Sequence, residues 1–540
     1  MKSNPRFEEL PKQKSAACAP LELSGTISRE YRRRGLLVAA PALLLAMATA
    51  GCTRSDPVTA APPTPAASWT VKAENAKPGS TDWHLTNPAK DREIEGYASE
   101  TSVNRGEGIS IYVNTAEPSY TMQFFRMGWY GGAGAREIMS PVVRKGIAQP
   151  IPSAANEMHL VECDWTDPYV LHIPASPDPT DWASGVYLVK LTAGISGKQS
   201  FVIFVVRDDQ RRSELLFQLT VTTDEAYNAW DGWSLYTEPR AFKVSFNRPY
   251  QEGGGAGFFF EWEYNMLRFL EREGYDVSYS TDVDTHERGP LLLEHKAFLS
   301  VGHDEYWSWQ MRQNVRAARD NGVSLGFFGA DTSNWQIRFQ PSTVNGDPDR
   351  TIVCFKSASL DPMAYSPATR NLTTTAFRAP PVDWPEEELV GVMYEGWFRG
   401  PPQDLVVTDA SSWIFQNTGI RDGTHLPGLL GYECDRMYGH HPSDDHRVAH
   451  SPFPGIDGRT FYSDMTWYEA PSGSTVVATG TMSWSWGLDD FRWDHAVFTS
   501  PVVQQATRNI MKRFGVTDPA GISVPRTTQT LFWEPAPHWR

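Results

Sequence analysis

The chain has 540 residues with 49 lysines and arginines against 64 aspartates and glutamates, a formal net charge of −15 that excludes nucleic acid and anionic membrane surfaces as electrostatic partners. Hydrophobic residues make up 40% and charged residues 21%, enough to bury a core and incompatible with wholesale disorder. Glycine (42) and proline (40) favour turns and β-structure and exclude a long-helix or coiled-coil protein.

Residues 1–68 read as an export segment. Arg32, Arg33 and Arg34 precede the short apolar run Gly35 to Ala46, which ends in Thr49-Ala50-Gly51-Cys52. The run is too short to span a bilayer as a typical helix. Small residues before Cys52 resemble a lipoprotein cleavage box, and paired arginines before Leu36-Leu37 resemble a twin-arginine signal. The expectation is a chain lipid-anchored through Cys52 on the extracytoplasmic face of the cell envelope, with a Pro/Ala/Thr-rich linker after it. Cys163, Cys354 and Cys434 are then too few for a disulfide framework, and no Cys-x-x-Cys zinc pattern occurs.

Residues 69–207 carry short alternating runs: Ile94 to Ser99, Ile109 to Val113, Tyr120 to Met127, Val186 to Ala193 and Ser200 to Val206. Every second residue in Ile109-Ser110-Ile111-Tyr112-Val113 is apolar, which predicts a β-sandwich with one face inward and the other in solvent. Asp208 to Arg212 forms a polar hinge. From 208 to 540 the period changes. Leu215 to Val221 predicts a buried strand, Trp262 to Leu270 a helix closed by Gly274, then strands near Tyr275 to Tyr279 and Ala297 to Val301. Trp309 to Arg319 predicts a helix and Val323 to Phe328 a strand; Leu389 to Met393 and Thr475 to Thr479 read as later strands, and Val502 to Phe514 as a terminal helix. Apolar strands alternating with amphipathic helices predict an α/β, doubly wound, mostly parallel sheet.

Ligands of such a sheet bind beyond the carboxyl ends of its strands. Three polar loops sit there: Thr222 to Asn228, Gly302 to Ser308, and Gly329 to Trp335. In the middle loop His303, Asp304 and Glu305 are the catalytic candidates, and Ser308 is a helix N-cap. Gly253 to Gly257 lacks a nucleotide-binding pattern and reads as a loop or lid. His440, His441, Asp444, Asp445, His446 and His450 make a His/Asp stretch suited to zinc or iron or, given its prolines and serines, to a plain exposed loop. No Gly-x-Ser-x-Gly elbow is present, which weighs against a serine hydrolase.

The segments Glu263 to Glu271, Gly302-His303-Asp304-Glu305-Tyr306-Trp307-Ser308, Phe327 to Thr332 and Trp484-Ser485-Trp486-Gly487-Leu488-Asp489 resemble the C-terminal region of the large (β) subunit of N,N-dimethylformamidase. Phe125-Arg126-Met127-Gly128-Trp129-Tyr130-Gly131-Gly132 resembles the β-sandwich region of that family. The resemblance implies a class I glutamine amidotransferase-like fold and a hydrolase of a small amide or related C–N bond. It also implies one non-haem ferric iron (Fe3+) held by two tyrosines and a glutamate. Residue by residue, Tyr306 and Tyr264 match the tyrosines, and Glu395 is the glutamate, with Glu433 next. Two phenolates and a carboxylate are hard anions that neutralise three charges on a hard cation. Two readings stand beside this one. In the first the chain is a non-catalytic envelope protein that recognises a glycan or partner through Trp129, Trp230, Trp233, Trp484 and Trp486; in the second it is a hydrolase with a different metal. A homo-oligomer is compatible with each.

Overall fold

The structure, a computed structural model, describes residues 70–175, 181–440, 444–491 and 497–519. The arginine run, the apolar segment and Cys52 lie outside these residues.

The N-terminal strands form two facing sheets. One has five strands in the order Ser102–Asn104, Gln199–Arg207, Gly185–Ala193, Ser119–Met127 and Ala135–Lys145; the other has Glu95–Ala98, Gly108–Asn114 and Tyr169–His172. Alternation in the sequence places Ile109, Ile111 and Val113 inward, against Met122, Val189, Leu191 and Phe204 of the opposing sheet. The second face of the five-stranded sheet does not meet solvent, contrary to the reading from alternation. Val186, Leu188, Phe201 and Val205 on that face belong to a core shared with Met266, Leu267 and Leu270. Even Lys190 is buried, its ammonium donating to the carbonyls of Asp82 and His84 at 2.7 Å each. Across this contact Arg126 forms a buried ion pair with Glu271 at 2.6 Å, and the Tyr264 hydroxyl donates to the Gly134 carbonyl at 2.7 Å.

Beyond Asp208 to Arg212 stands a seven-stranded sheet in the order Val277–Thr281, Leu215–Leu219, Ala297–His303, Ser324–Ala330, Thr475–Ala478, Thr460–Glu469 and His446–Pro454. The first five strands are mutually parallel, and the last two are joined antiparallel. Helix Trp309–Asp320 starts at the expected cap, where the Ser308 hydroxyl accepts from the Met311 amide at 3.0 Å. It packs Met311, Val315 and Ala318 on Phe298 and Leu325. Helix Tyr264–Glu273 ends at Gly274, in the left-handed conformation that favours glycine.

The expected doubly wound, glutamine amidotransferase-like fold is not what forms. The chain is mostly β, in several sheets with few helices, and the large sheet is mixed rather than parallel throughout. After Ser324–Ala330 the chain makes short hairpins in place of strand-helix-strand crossovers. Its return to the sheet is the meander His446–Pro454, Thr460–Glu469, Thr475–Ala478, which needs only turns between strands. The Leu389 to Met393 segment, read as a strand, is divided between a helical turn, Glu387–Val390, and a strand, Met393–Trp397.

Candidate active site

The parallel strands bring the three polar loops to one edge. Register pairs Gly302 with Gly329 and His303 with Ala330, so His303 and Asp331 arrive side by side. Gly302 has φ +78, and a Cβ there would lie 2.3 Å from Trp262 Cβ; glycine lets the strand end settle against that indole. Asp331 takes φ +54, a strained conformation for a residue with a side chain, and its amide donates to Asp435 Oδ1 at 2.7 Å.

At this edge two sets of polar atoms meet. In the first, the Tyr306 hydroxyl donates to the Tyr236 hydroxyl at 2.5 Å, and Tyr236 donates to Glu305 Oε1 at 2.7 Å. The Tyr236 ring is sandwiched: Tyr227 stacks on it with centroids 4.1 Å apart, and Lys356 Nζ lies 3.4 Å from its centroid. In the second set His303 Nε2 is 2.8 Å from Glu433 Oε2 and 3.2 Å from Glu305 Oε2. One ligand atom each from His303, Asp331 and Glu433 lie within 4.8 Å of one another, a buried group that can hold a metal ion.

Burial sets the electrostatics. It opposes charge on His303, but Glu433 and Glu305 overcome it and push the imidazole up to about 10. Burial, then the charges of Glu305, Glu433 and Asp435, hold the Asp331 carboxyl well above the usual range. Burial raises Asp435 to about 7. Burial works against ionised Glu305 as well, and is outweighed by His303, Lys356 and the Tyr236 hydroxyl, which lower its pKa. His303 Nδ1 and Asp331 Oδ1 are buried without a hydrogen-bond partner, and His303 Nε2, Glu305 Oε2 and Glu433 Oε2 meet only one another. Native interiors leave few such atoms, and a cluster of them marks a place built for something else.

The remaining expected residues lie elsewhere. Asp304 turns into the sheet, accepting from Gln218 Nε2 at 2.8 Å, Ser300 Oγ at 2.7 Å and Trp307 Nε1 at 2.7 Å. Its role there is to fix the loop. Tyr264 is not gathered with Tyr306; it packs among Trp83, Phe260 and Phe491, with its hydroxyl on Gly134. Glu395 pairs with Arg436 at 3.2 Å and accepts from Tyr438, whereas Glu433 reaches His303. The His/Asp stretch forms no metal-ligating group among the described residues: His450 Nδ1 bonds Asp464 at 2.6 Å, His446 stacks on Trp467, and His441 lies outside those residues. Trp129, Trp230, Trp484 and Trp486 are buried, so they supply core mass rather than a stacking surface for glycans. Tyr227 comes from the expected Thr222 to Asn228 loop, whereas Tyr236 and Lys356 lie outside the three loops. Tyr236 stands in an irregular stretch, Ser234-Leu235-Tyr236-Thr237-Glu238-Pro239, whose only signal is its closeness in sequence to the Thr222 to Asn228 loop.

Residues 121–497 match the family described as N,N-dimethylformamidase beta subunit-like, C-terminal. The match begins inside the sandwich and runs through all seven strands of the large sheet. Two curated relatives are N,N-dimethylformamidase beta subunits, from Paracoccus aminophilus and from Alcaligenes sp., each 22% identical over 315 residues. The alignment takes in 53% of this chain and 41% of each relative, so the chain spans well under half the length of the curated relatives it matches. The polar edge, with its aromatic and carboxylate donors, falls inside the matched region, and the chain belongs to the N,N-dimethylformamidase beta subunit-like C-terminal family.

Proposed function

We propose that the chain hydrolyses a small amide or related C–N bond, with a single iron ion held by Tyr236, Tyr306 and Glu305. The observation that carries this reading is the continuous contact of three oxygens, Tyr306 to Tyr236 at 2.5 Å and Tyr236 to Glu305 at 2.7 Å. Oxygens this close suit replacement of their protons by one hard cation, and the donors are the hard anions that ferric iron prefers. This assignment keeps two tyrosines and a glutamate but moves two of the three positions, from Tyr264 to Tyr236 and from Glu395 to Glu305. When bound, such an ion polarises a carbonyl and lowers the pKa of water.

The chain's own groups supply the remainder. His303 holds a proton at Nε2 between Glu305 and Glu433 and is placed to give it to the departing nitrogen, so that water and amide yield acid and amine. Burial of Asp331, Glu305 and Glu433 keeps bulk water from screening these charges. Tyr236 alone of the set exposes much of itself, 45%, and marks the approach from solvent, which suits a small substrate. Release of amine from N,N-dialkylformamides by the purified protein tests the reading, and its loss in Tyr306→Phe ties it to this site. The export reading is likewise proposed: the Arg32 to Cys52 segment supports a lipid-anchored location, tested by fractionation.

A further inference from the structure

We propose that the cavity at the seam between the sandwich and the loops preceding helix Tyr264–Glu273 is a saccharide-binding site, one that takes a neutral, hydroxyl-rich ligand of one or two rings. It shares no lining residue with the phenol-carboxylate set and does not rest on the amide-hydrolase reading.

The cavity measures about 600 Å³, within the range of about 300–1,000 Å³ that holds small-molecule ligands. The sandwich contributes Arg92, Glu95 and Ser200, and the facing loops contribute Asp231, Tyr250 and Gln251. Gly255 has φ +104, and a Cβ there would lie 2.2 Å from the Phe201 carbonyl oxygen, so glycine lets its loop close on the sandwich strand. By contrast, a Cβ at Gly232 would meet nothing within 4 Å, and the wall beside Asp231 is open.

The polar groups are fixed by their own pairings. Arg92 Nη2 donates to Asp231 Oδ1 at 3.3 Å, and Trp230 Nε1 and Asn114 Nδ2 donate to the two oxygens of Glu95 at 2.7 and 2.9 Å. Each group keeps capacity to spare, since a guanidinium has about five N–H donors and a carboxylate about four acceptor sites. Rigid planar groups that offer both donors and acceptors match neighbouring hydroxyls, each of which donates as well as accepts. Ser200 adds an independent sign. It is 6% exposed, and its Oγ is buried with no hydrogen-bond partner. A hydroxyl left so is unfavourable in a native interior, and a ligand hydroxyl in the cavity that Ser200 lines would satisfy it.

Charge and shape then select the ligand. Lys90 and Arg92 are matched in number by Glu95 and Asp231, so the walls carry no surplus to attract a phosphate or an ammonium group. A flat base needs an open aromatic face, and the Arg92 guanidinium lies over the Trp230 ring at 4.4 Å from its centroid. Trp230 acts instead through its N–H, which orients Glu95. Ile94, Phe201 and Pro249 supply apolar patches for the C–H faces of a pyranose.

The test titrates the full chain, without added metal, with maltose by calorimetry, and then with glucose, glucuronate and glucosamine, which share one ring and differ in charge. The expected result is maltose bound with a Kd below about 1 mM, and neither charged sugar bound more tightly than glucose. Ser200→Ala should weaken maltose binding about three- to tenfold, the worth of one hydrogen bond, and it strands no partner within the fold. Gln251→Ala, at an exposed position, should weaken it similarly. Failure of both maltose and glucose to bind, a preference for glucuronate or glucosamine over glucose, or wild-type maltose affinity in both variants would each overturn the proposal.

Discussion

Asp304 separates a loop-fixing role from a chemical one. Its two oxygens accept from Gln218, Ser300 and Trp307, and all four side chains are buried. Burial, and then the Asp304 charge, push the carboxyl of the neighbouring Asp282 up. Asp304→Ala removes an acceptor from three buried neutral donors. A stranded buried donor costs about 1–3 kcal/mol, and the Ser300 hydroxyl can rotate to another acceptor, so the loss should be about 3–5 kcal/mol. Asp304→Asn keeps one acceptor oxygen and should lose about 1–2 kcal/mol. Urea denaturation followed by tryptophan fluorescence reads both variants, with wild-type slope and a lower midpoint. An alanine variant within about 1 kcal/mol of wild type would refute the reasoning. So would an asparagine variant of wild-type stability and no activity, because that pattern belongs to a residue that touches substrate.

Tyr264→Phe should cost about 1 kcal/mol, the worth of one buried hydrogen bond to Gly134, while metal content and activity stay at wild-type levels. Glu271→Gln should cost about 3–5 kcal/mol, since it leaves the Arg126 guanidinium buried without its counter-charge. Faster proteolysis in the Asp208 to Arg212 hinge would report the loosened contact between the sandwich and the seven-stranded sheet. Chelation should lower the unfolding temperature, because a ligand held at 1,000 times its dissociation constant adds about 4 kcal/mol to stability. Cys52→Ala should move the expressed protein from the membrane pellet to the soluble fraction, and a variant that stays with the membrane would count against lipid attachment there.

Local patterns carried the sandwich and the parallel half of the large sheet. Ile109 to Val113 alternates, and Leu215 to Leu219, Ala297 to Val301 and Ser324 to Phe328 are apolar runs between helices, so each strand announces itself within a few residues. What closes the sheet does not. Thr475–Ala478 pairs in parallel with Ser324–Ala330 across a long excursion, and it is the antiparallel pairing of Thr460–Glu469 along its other edge that makes the sheet mixed. The same limit governs the site. His303, Glu305 and Tyr306 come from one loop at a strand end and are visible as a motif. Tyr264 opens a helix, but nothing in its spacing from Tyr306 reveals that it faces Gly134 and Phe491. Glu395 and Glu433 lie on paired strands with a register shift between Tyr394 and Gly396, and which carboxylate faces His303 depends on that shift. Tyr236 belongs to no periodic segment, so only the folded chain brings its hydroxyl to Glu305.

The visible absorption spectrum of the iron-loaded full chain tests the central claim most directly. Phenolate bound to ferric iron gives a charge-transfer band. The expected result is a band present in the wild type and in Tyr264→Phe, weakened in Tyr236→Phe and in Tyr306→Phe, and accompanied by about one iron per chain. Iron at one equivalent with no such band, or a band that disappears with Tyr264→Phe and survives Tyr236→Phe, would contradict the assignment of Tyr236, Tyr306 and Glu305.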